Sequence, residues 1–360
     1  PIVYVNQVGA QDELIFDGSS FVVDANGEVI ARLPQFEEAV EVVDVEVHSR
    51  IKGALPVISL SSERRHREPL LTSPGTEPND EVGEVWNALV LATRDYVHKN
   101  EFSDAVIGLS GGVDSSLVAA IAVDALGPQR VHGVSMPSRY SSAGSQDDAA
   151  ELALNFGMDF HTIPIEPAHA SVIEMLDPLF RDYPADLTEE NLQSRIRGVL
   201  LMALSNKRGW LVLTTGNKSE TSVGYSTLYG DTAGGFAVLK DCPKLLVYEL
   251  CRWRNNQTGA PWIPEASILK PPSAELRPGQ TDEQSLPPYE LLDPLLEAYI
   301  EQDRTAAELV SEGYDAALVE RITRLVDLAE YKRRQSPPGP RISAKAFGKD
   351  RRLPITNRYR

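Results

Sequence analysis

Between residues 104 and 136 the chain reads as strand, tight glycine loop, helix and strand again, and this order constrains the fold more than any other feature. An apolar run, Ala105-Val106-Ile107-Gly108-Leu109, leads into Ser110-Gly111-Gly112-Val113-Asp114-Ser115-Ser116. A helix is expected over about 115–126, closed by Gly127-Pro128, and a second strand over 131–136. A continuous apolar run marks a strand buried on both faces, and strands joined through helices run parallel. The cadence continues with a helix over 146–156, a strand over 160–165, a helix over 191–206 and a strand over 210–215. Another helix, 82–98, precedes the series. The expected fold class is α/β: a doubly wound parallel sheet with helices on both faces and a helical C-terminal part over 289–302, 305–311 and 314–331. Ligands in such sheets bind at the carboxyl ends of the strands. The loops after Leu109, Met136 and Thr215 are therefore where chemistry is expected.

The chain ahead of this pattern follows another grammar. Leu14-Ile15-Phe16 leads to Asp17-Gly18, Phe21-Val22-Val23 leads to Asp24-Ala25-Asn26-Gly27, and 40–47 alternates apolar and acidic residues. A small antiparallel sheet without crossover helices is expected over the whole stretch. From 49 to 83 the pattern dissolves into polar, charged and Pro/Gly/Thr-rich sequence, the composition of a linker at a domain boundary. The chain opens on Pro1 and runs directly into Ile2-Val3-Tyr4-Val5, and no signal peptide is expected. A fragment or processed chain from the cytoplasm is the expectation.

The glycine loop has a specific chemical use. Two glycines let backbone N–H groups approach phosphate oxygens that a side chain would hold off. The helix that follows adds positive charge at its start. The hydroxyls of Ser110, Ser115 and Ser116 can donate hydrogen bonds. Asp114 is a poor phosphate ligand and a natural one for Mg²⁺. The bland alternative is a glycine turn with an Asp/Ser helix cap.

No Gly-Lys-Thr/Ser ends the loop, so it differs from the Walker pattern; it resembles the loop of the ATP pyrophosphatases, which cleave ATP between its α and β phosphates. A second set of segments narrows the resemblance. Thr214-Thr215-Gly216-Asn217-Lys218-Ser219-Glu220 follows an apolar strand, and Val223-Gly224-Tyr225-Ser226-Thr227-Leu228-Tyr229-Gly230-Asp231 comes directly after. With Ser135-Met136-Pro137-Ser138-Arg139-Tyr140, the run from Asn191 through Ser194-Arg195-Ile196-Arg197, Lys240-Asp241-Cys242-Pro243-Lys244 and Lys270-Pro271-Pro272-Ser273-Ala274-Glu275-Leu276, they resemble the NAD synthetase family over about residues 84–360. The fold this implies is that of the adenine nucleotide alpha hydrolase-like ATP pyrophosphatases.

The resemblance carries a reaction and a set of roles. ATP adenylates the nicotinate carboxylate of deamido-NAD, and ammonia displaces AMP to give NAD. Gly108, Ser110, Gly111, Gly112, Val113, Asp114, Ser115 and Ser116 would cradle ATP, joined by Ser135, Thr215, Lys244 and Ser273. Asp114 and Glu220 would hold Mg²⁺. Asn191, Glu220, Asp231 and Lys332 would address deamido-NAD, with Asp231 as the catalytic candidate that orients or deprotonates ammonium. Two departures stand out. Ser135 occupies the place of an ATP-contacting Arg in shorter members, a charge that Arg139 is expected to restore, and Ser273 replaces a usual Thr. Tyr225 and Tyr229 read either as stacking rings or as core aromatics, with the core favoured.

Residues 4–20, Tyr4-Val5-Asn6-Gln7 through Asp17-Gly18-Ser19-Ser20, resemble the closing strands of the nitrilase-like glutaminase domain of glutamine-dependent members. Residues 1–48 are thus expected to be the C-terminal remnant of such a domain. Its Cys nucleophile would lie upstream, so this chain is expected to use ammonia and not glutamine. Cys242 and Cys251, the two cysteines, are expected as reduced buried thiols without metal spacing.

Charge bears on partners. The formal net charge of −17 argues against nucleic acid. Residues 331–360 carry a net +9, leaving −26 on the rest, and this basic tail reads either as a solvated surface or as an anion-facing segment. No apolar run approaches the roughly 20 residues that cross a bilayer. Homo-oligomers through the synthetase part are what the resemblance implies. Three competing readings remain at this level: another ATP-pyrophosphatase amidotransferase, a non-catalytic nucleotide-binding module, against which the intact Asp114 and Glu220 weigh, and a scaffold fragment whose folding requires a missing part.

Overall fold

A computed structural model describes residues 1–46, 58, 68 and 75–356. Two units emerge from the internal contacts, residues 1–9 with 16–80, and residues 10–15 with 81–360. The linker expected over 49–83 falls mostly outside the described residues, and its last three positions already belong to a helix.

Five short strands occupy the N-terminal stretch: β1 (Ile2–Tyr4), β2 (Val8–Gln11), β3 (Leu14–Asp17), β4 (Phe21–Val23) and β5 (Val29–Arg32). β2 pairs with β3, while β1, β4 and β5 form an antiparallel sheet in the order β1-β4-β5. The expected hairpin at 24–27 is present. Its cause is Asp24, whose Oδ1 accepts from the amides of Asn26 at 2.7 Å and Glu28 at 3.0 Å. The strand expected over 40–47 does not form in the described part, 40–46. Alternation makes a strand only where one face finds a partner, and Val40 and Val42 remain exposed.

The larger unit follows the strand–helix cadence. Its elements are α1 (Glu81–Lys99), β6 (Ala105–Gly108), α2 (Val113–Leu126), β7 (Val131–Ser135), α3 (Ala143–Phe156), β8 (Asp159–Thr162), α4 (Glu166–Phe180), α5 (Leu187–Arg208), β9 (Leu211–Thr214), α6 (Lys218–Val223), β10 (Phe236–Ala237), α7 (Lys244–Thr258) and α8 (Glu265–Leu269). A helical layer follows, α9 (Tyr289–Ile300), α10 (Ala306–Ser311), α11 (Ala316–Leu328) and α12 (Glu330–Arg333). The helix expected over 314–331 breaks into α11 and α12 at Ala329.

β6 to β10 form one sheet in the order β10-β9-β6-β7-β8, every pair parallel. Alternate residues serve opposite faces. Ala105, Ile107, Leu211 and Leu213 pack with Leu117 and Ile121 of α2 and Leu89 of α1. Val106, Val134 and Val212 pack with Ile165 and with Leu201 of α5. Burial on both faces is why β6, the central strand, carries no polar side chain. α5 is held at both ends: Asp186 and Glu189 make a reciprocal capping box, and Gly209 closes it in the left-handed conformation. A third cluster joins α9, α10 and α11 through Leu292, Leu309 and Ile322.

Candidate active site

β6 is the first strand of its sheet in sequence and the central one in space, with β7 on one side and β9 on the other. The chain thus reverses its winding direction between β6 and β9, and the loops at their carboxyl ends border a crevice at a topological switch point. A cavity of about 640 Å³ opens there.

The loop after β6 is shaped by Gly111. Its φ is +75°, and a Cβ at this position would lie 2.1 Å from the Ser145 carbonyl oxygen at the start of α3. Only glycine meets both demands. Ser110 Oγ accepts from the Gly112 amide at 3.2 Å and lies 3.2 Å from Ser115 Oγ, which donates to the Gly112 carbonyl at 3.0 Å. Ser116 donates to the same carbonyl and is fully buried. Gly108, Ser110, Gly112, Val113, Asp114 and Ser115 border the cavity, whereas Gly111 and Ser116 shape the loop from behind.

A charged centre lies beside this loop. Asn217 caps α6, its Oδ1 accepting from the Glu220 amide at 2.9 Å while its Nδ2 donates to Asp114 Oδ1 at 2.8 Å. Lys244, at the start of α7, donates to Asp114 Oδ2 at 2.5 Å and lies 3.4 Å from Glu220 Oε1. Its backbone amide donates to Ser219 Oγ at 2.9 Å, and the neighbouring Leu245 amide donates to Asp293 at 2.9 Å. Four separated stretches of sequence, at Asp114, 217–220, 244–245 and Asp293, are therefore locked together at one point. Burial works against the Lys244 ammonium, but Asp114 and Glu220 outweigh it and hold its pKa above the ordinary value. Burial raises the Glu220 carboxyl; Lys244 opposes this, and Asp114, Asp282 and Asp231 add to it.

Among the described residues no group of three or more His, Cys, Asp or Glu forms a ready-made metal cage. The donor set nevertheless fits a hard cation. Asp114 and Glu220 offer carboxylate oxygens beside a phosphate-type loop, and one ammonium offsets their charge. Mg²⁺ commonly takes one or two carboxylates and completes its shell with water and substrate phosphates.

The residues expected to meet deamido-NAD gather on the turn 224–231. Asn191 Oδ1 accepts from Thr227 Oγ1 at 2.7 Å, and Asp231 Oδ1 accepts from the Thr227 amide at 2.6 Å. The Lys332 ammonium donates to the carbonyls of Gly224 at 2.7 Å and Ser226 at 2.6 Å. The turn presses on α5, where a Cβ at Gly198 would lie 2.8 Å from the Tyr229 carbonyl oxygen. Asp231 is open on the cavity wall, yet enclosure by surrounding protein pushes its carboxyl up to about 6 against hydrogen bonds that lower it. Burial lowers the Lys332 ammonium, with Asp231 opposing.

Ser135, Thr215 and Ser273 also border the cavity. Arg139 does not; it pairs with Glu166 on the surface. Arg197 is a cation on that side, lining the cavity and donating to the Met136 carbonyl at 2.9 Å. Burial lowers its pKa to about 10, with Glu275 opposing. Sequence reasoning overlooked Arg197 and Asn217, although helical spacing puts Arg197 near the face of Asn191 and Ser194. Tyr225 is partly buried beside α9 and α11, as expected for a core ring. Tyr229 is not core: at φ +62° the residue is 64 % exposed and its hydroxyl donates to Gln335.

The basic tail is largely paired within the chain. Lys345 and Arg351 meet Asp303, Lys349 meets Glu13, and Arg341 meets Asp350. Cys242 and Cys251 are buried free thiols whose pKa burial raises.

The profile of the NAD synthase family matches residues 85–336. The chain belongs to this family. A carbon-nitrogen hydrolase profile matches residues 1–52. The glutamine-dependent NAD(+) synthetase of Acinetobacter baylyi is 48 % identical over 359 residues, covering 100 % of this chain and 63 % of that protein. The same enzyme of Thermotoga maritima is 49 % identical over 373 residues, covering 100 % and 65 %. The chain thus spans less than two thirds of these relatives. Among solved structures, the glutamine-dependent NAD+ synthetase of Acinetobacter baumannii, in complex with ADP, matches with a TM-score of 0.64 and 46 % identity over 99 % of this chain and 62 % of that one. NMN synthetase of Francisella tularensis matches with 0.60 and 27 % identity over 71 % and 96 %. The α/β fold of the NAD synthetases is therefore the fold of this chain.

Proposed function

We propose that this chain amidates deamido-NAD to NAD at the expense of ATP, with ammonia as its nitrogen source. The observation that carries the reading is one cavity at the switch point, bordered by the glycine loop, by the Asp114–Lys244–Glu220 centre and by the turn 224–231. Membership of the NAD synthase family supports the same reaction.

The nicotinate carboxylate attacks the α-phosphorus of ATP and pyrophosphate leaves. Ammonia then attacks the acyl carbon, AMP leaves, and the excess proton passes to a base. Backbone amides of the glycine loop, with Ser110 and Ser115, hold the phosphates; Thr215, Ser135 and Ser273 complete the ATP wall. Lys244 offsets phosphate charge while fixing Asp114 and Glu220, the residues that would hold Mg²⁺. That ion would neutralise charge building on the departing pyrophosphate. Asn191, Asp231 and Lys332 orient the dinucleotide, and the Asp231 carboxylate receives the proton from nitrogen. Most of the work is positional and electrostatic.

Residues 1–48 are read as the end of a nitrilase-like glutaminase domain, 49–83 as a linker and 84–360 as the synthetase. In a longer parent protein, an upstream glutaminase would deliver ammonia, and the exposed apolar residues of β1, Ile2 and Val3, suit a strand that another part of such a domain covers. Self-association through the synthetase part is supported by α4 and α5, where Met175, Leu179, Leu187 and Val199 are all exposed. No described helix is long and apolar enough to cross a membrane, and a cytoplasmic location suits an ATP-consuming enzyme with free thiols.

The adenylation half is tested by exchange of labelled pyrophosphate into ATP. Exchange that requires deamido-NAD and Mg²⁺ but no ammonium is expected. Exchange indifferent to deamido-NAD would contradict the assigned acceptor.

A further inference from the structure

Residues 270–285 cross the cavity as a strap that is stapled to itself. Ser273 Oγ donates to the Gln280 carbonyl at 2.6 Å, the Leu276 amide donates to Gln280 Oε1 at 2.8 Å, and the Asp282 amide donates to the Pro272 carbonyl at 3.0 Å. A strap that is rigid within itself still has to be fastened to something. Gln193 Nε2 donates to the Leu276 carbonyl at 2.9 Å and the Tyr289 hydroxyl to Asp282 at 2.9 Å, which ties the strap to α5 and α9, and Glu275 ties it to α3. One carboxylate oxygen accepts from Ser142 Oγ at 2.9 Å and Ser145 Oγ at 2.8 Å, and the other accepts from the Ser142 amide at 3.2 Å. Ser142 caps α3, so the carboxylate also lies at the positive end of that helix. Glu275 takes up a left-handed backbone, φ +48°, which a non-glycine residue adopts only when its surroundings hold it there.

The same post carries the phosphate loop. Ser145 presents its carbonyl to Gly111 and its hydroxyl to Glu275, and Lys270 Nζ lies 3.1 Å from that hydroxyl and 2.9 Å from Asp148. The start of α3 therefore joins the loop that would cradle ATP to the strap that covers the cavity.

We propose that Glu275 is a positioning residue, a latch that fastens the 271–282 strap to the start of α3 and keeps water from the acyl adenylate; the proposal rests on the amidation reading above. The reaction it prevents is simple to balance. Water attacks the acyl carbon, AMP leaves, and the carboxylate of deamido-NAD is regenerated, so one ATP is spent without product. Glu275 touches none of the reacting atoms in this account. Its loss leaves adenylation in place and lowers the yield of amide per AMP.

The test is stoichiometric. AMP and NAD are measured with ATP, Mg²⁺, deamido-NAD and limiting ammonium, for the full chain and for Glu275→Ala and Glu275→Gln. The unaltered chain is expected near one AMP per NAD. Glu275→Ala is expected to raise AMP per NAD roughly threefold or more, as an opened lid admits water, with pyrophosphate exchange retained. Glu275→Gln, which keeps one acceptor oxygen, should fall between. Amide hydrogen exchange over 271–282 in the ligand-free chain is expected to quicken in Glu275→Ala while the β6–β9 amides stay protected. Unchanged stoichiometry with unchanged exchange overturns the latch. If the unaltered chain makes neither AMP nor NAD, the amidation reading fails instead, and the exchange measurement alone then decides whether Glu275 fastens the strap.

Discussion

At the residue scale the site depends on how few groups control its charge. Lys244 is the ammonium between Asp114 and Glu220, and its side chain is almost wholly buried. Lys244→Ala leaves two carboxylates facing each other, and loss of one partner of a buried pair costs about 3–5 kcal/mol; urea unfolding should show that loss, with no measurable exchange of pyrophosphate. Asn217 does two tasks that can be separated. Asn217→Asp keeps an oxygen to cap α6 but replaces the donor facing Asp114 with a second carboxylate. The expected result is a KM for ATP raised roughly tenfold or more, given about 1.5–3 kcal/mol for a hydrogen bond to a charged group, with a lowered melting temperature because the new carboxylate is buried against Asp114. Asp231 gives a pH signature. Its carboxyl is held up at about 6, so the ionised form is lost as pH falls through that value. Turnover should decline on the acid side with an apparent pKa near 6. Asp231→Asn should remove that limb and lower kcat/KM by about a hundredfold or more. An unaltered profile would remove Asp231 from the proton path.

At the element scale the phosphate loop and the helices behind it act as one piece. Gly111 is the sharpest probe, because φ +75° and the 2.1 Å approach to Ser145 leave no room for a methyl group. Gly111→Ala is expected to destabilise the chain by more than about 1 kcal/mol and to abolish pyrophosphate exchange, measured by thermal melting and by the exchange assay. β6 and α2 were legible in the sequence because apolar content on both faces and paired glycines are local signals. β10, α4, α6, α7 and α8 have weaker local signals: β10 has two residues, α6 six and α8 five, α4 contains Pro167 and Pro178, and α7 mixes Arg, Asn and Gln with Leu. The strand expected over 40–47 shows the converse, since a clean alternation with no face to cover stays irregular over 40–46. Arg197 escaped notice for a tertiary reason. Nothing in its own helix says that the Met136 carbonyl lies within reach.

At the scale of the whole molecule, function is legible because six separate stretches, 110–116, 135–140, 191–197, 214–231, 240–244 and 270–276, share one chemistry, and the fold brings residues from each to one cavity. The basic tail was ambiguous on charge alone; its meaning came only from the distant acids it meets, Asp303 and Glu13. The exposed apolar faces of α4 and α5 predict a dimer or larger assembly, measurable by light scattering at micromolar concentration, and Leu179→Arg should shift it toward the monomer. Ammonia-dependent amidation is tested most directly by incubating the chain with ATP, Mg²⁺ and deamido-NAD, once with ammonium and once with glutamine. NAD from ammonium and none from glutamine is the predicted result; NAD from neither would contradict the assigned reaction, and NAD from glutamine would contradict the assigned nitrogen source.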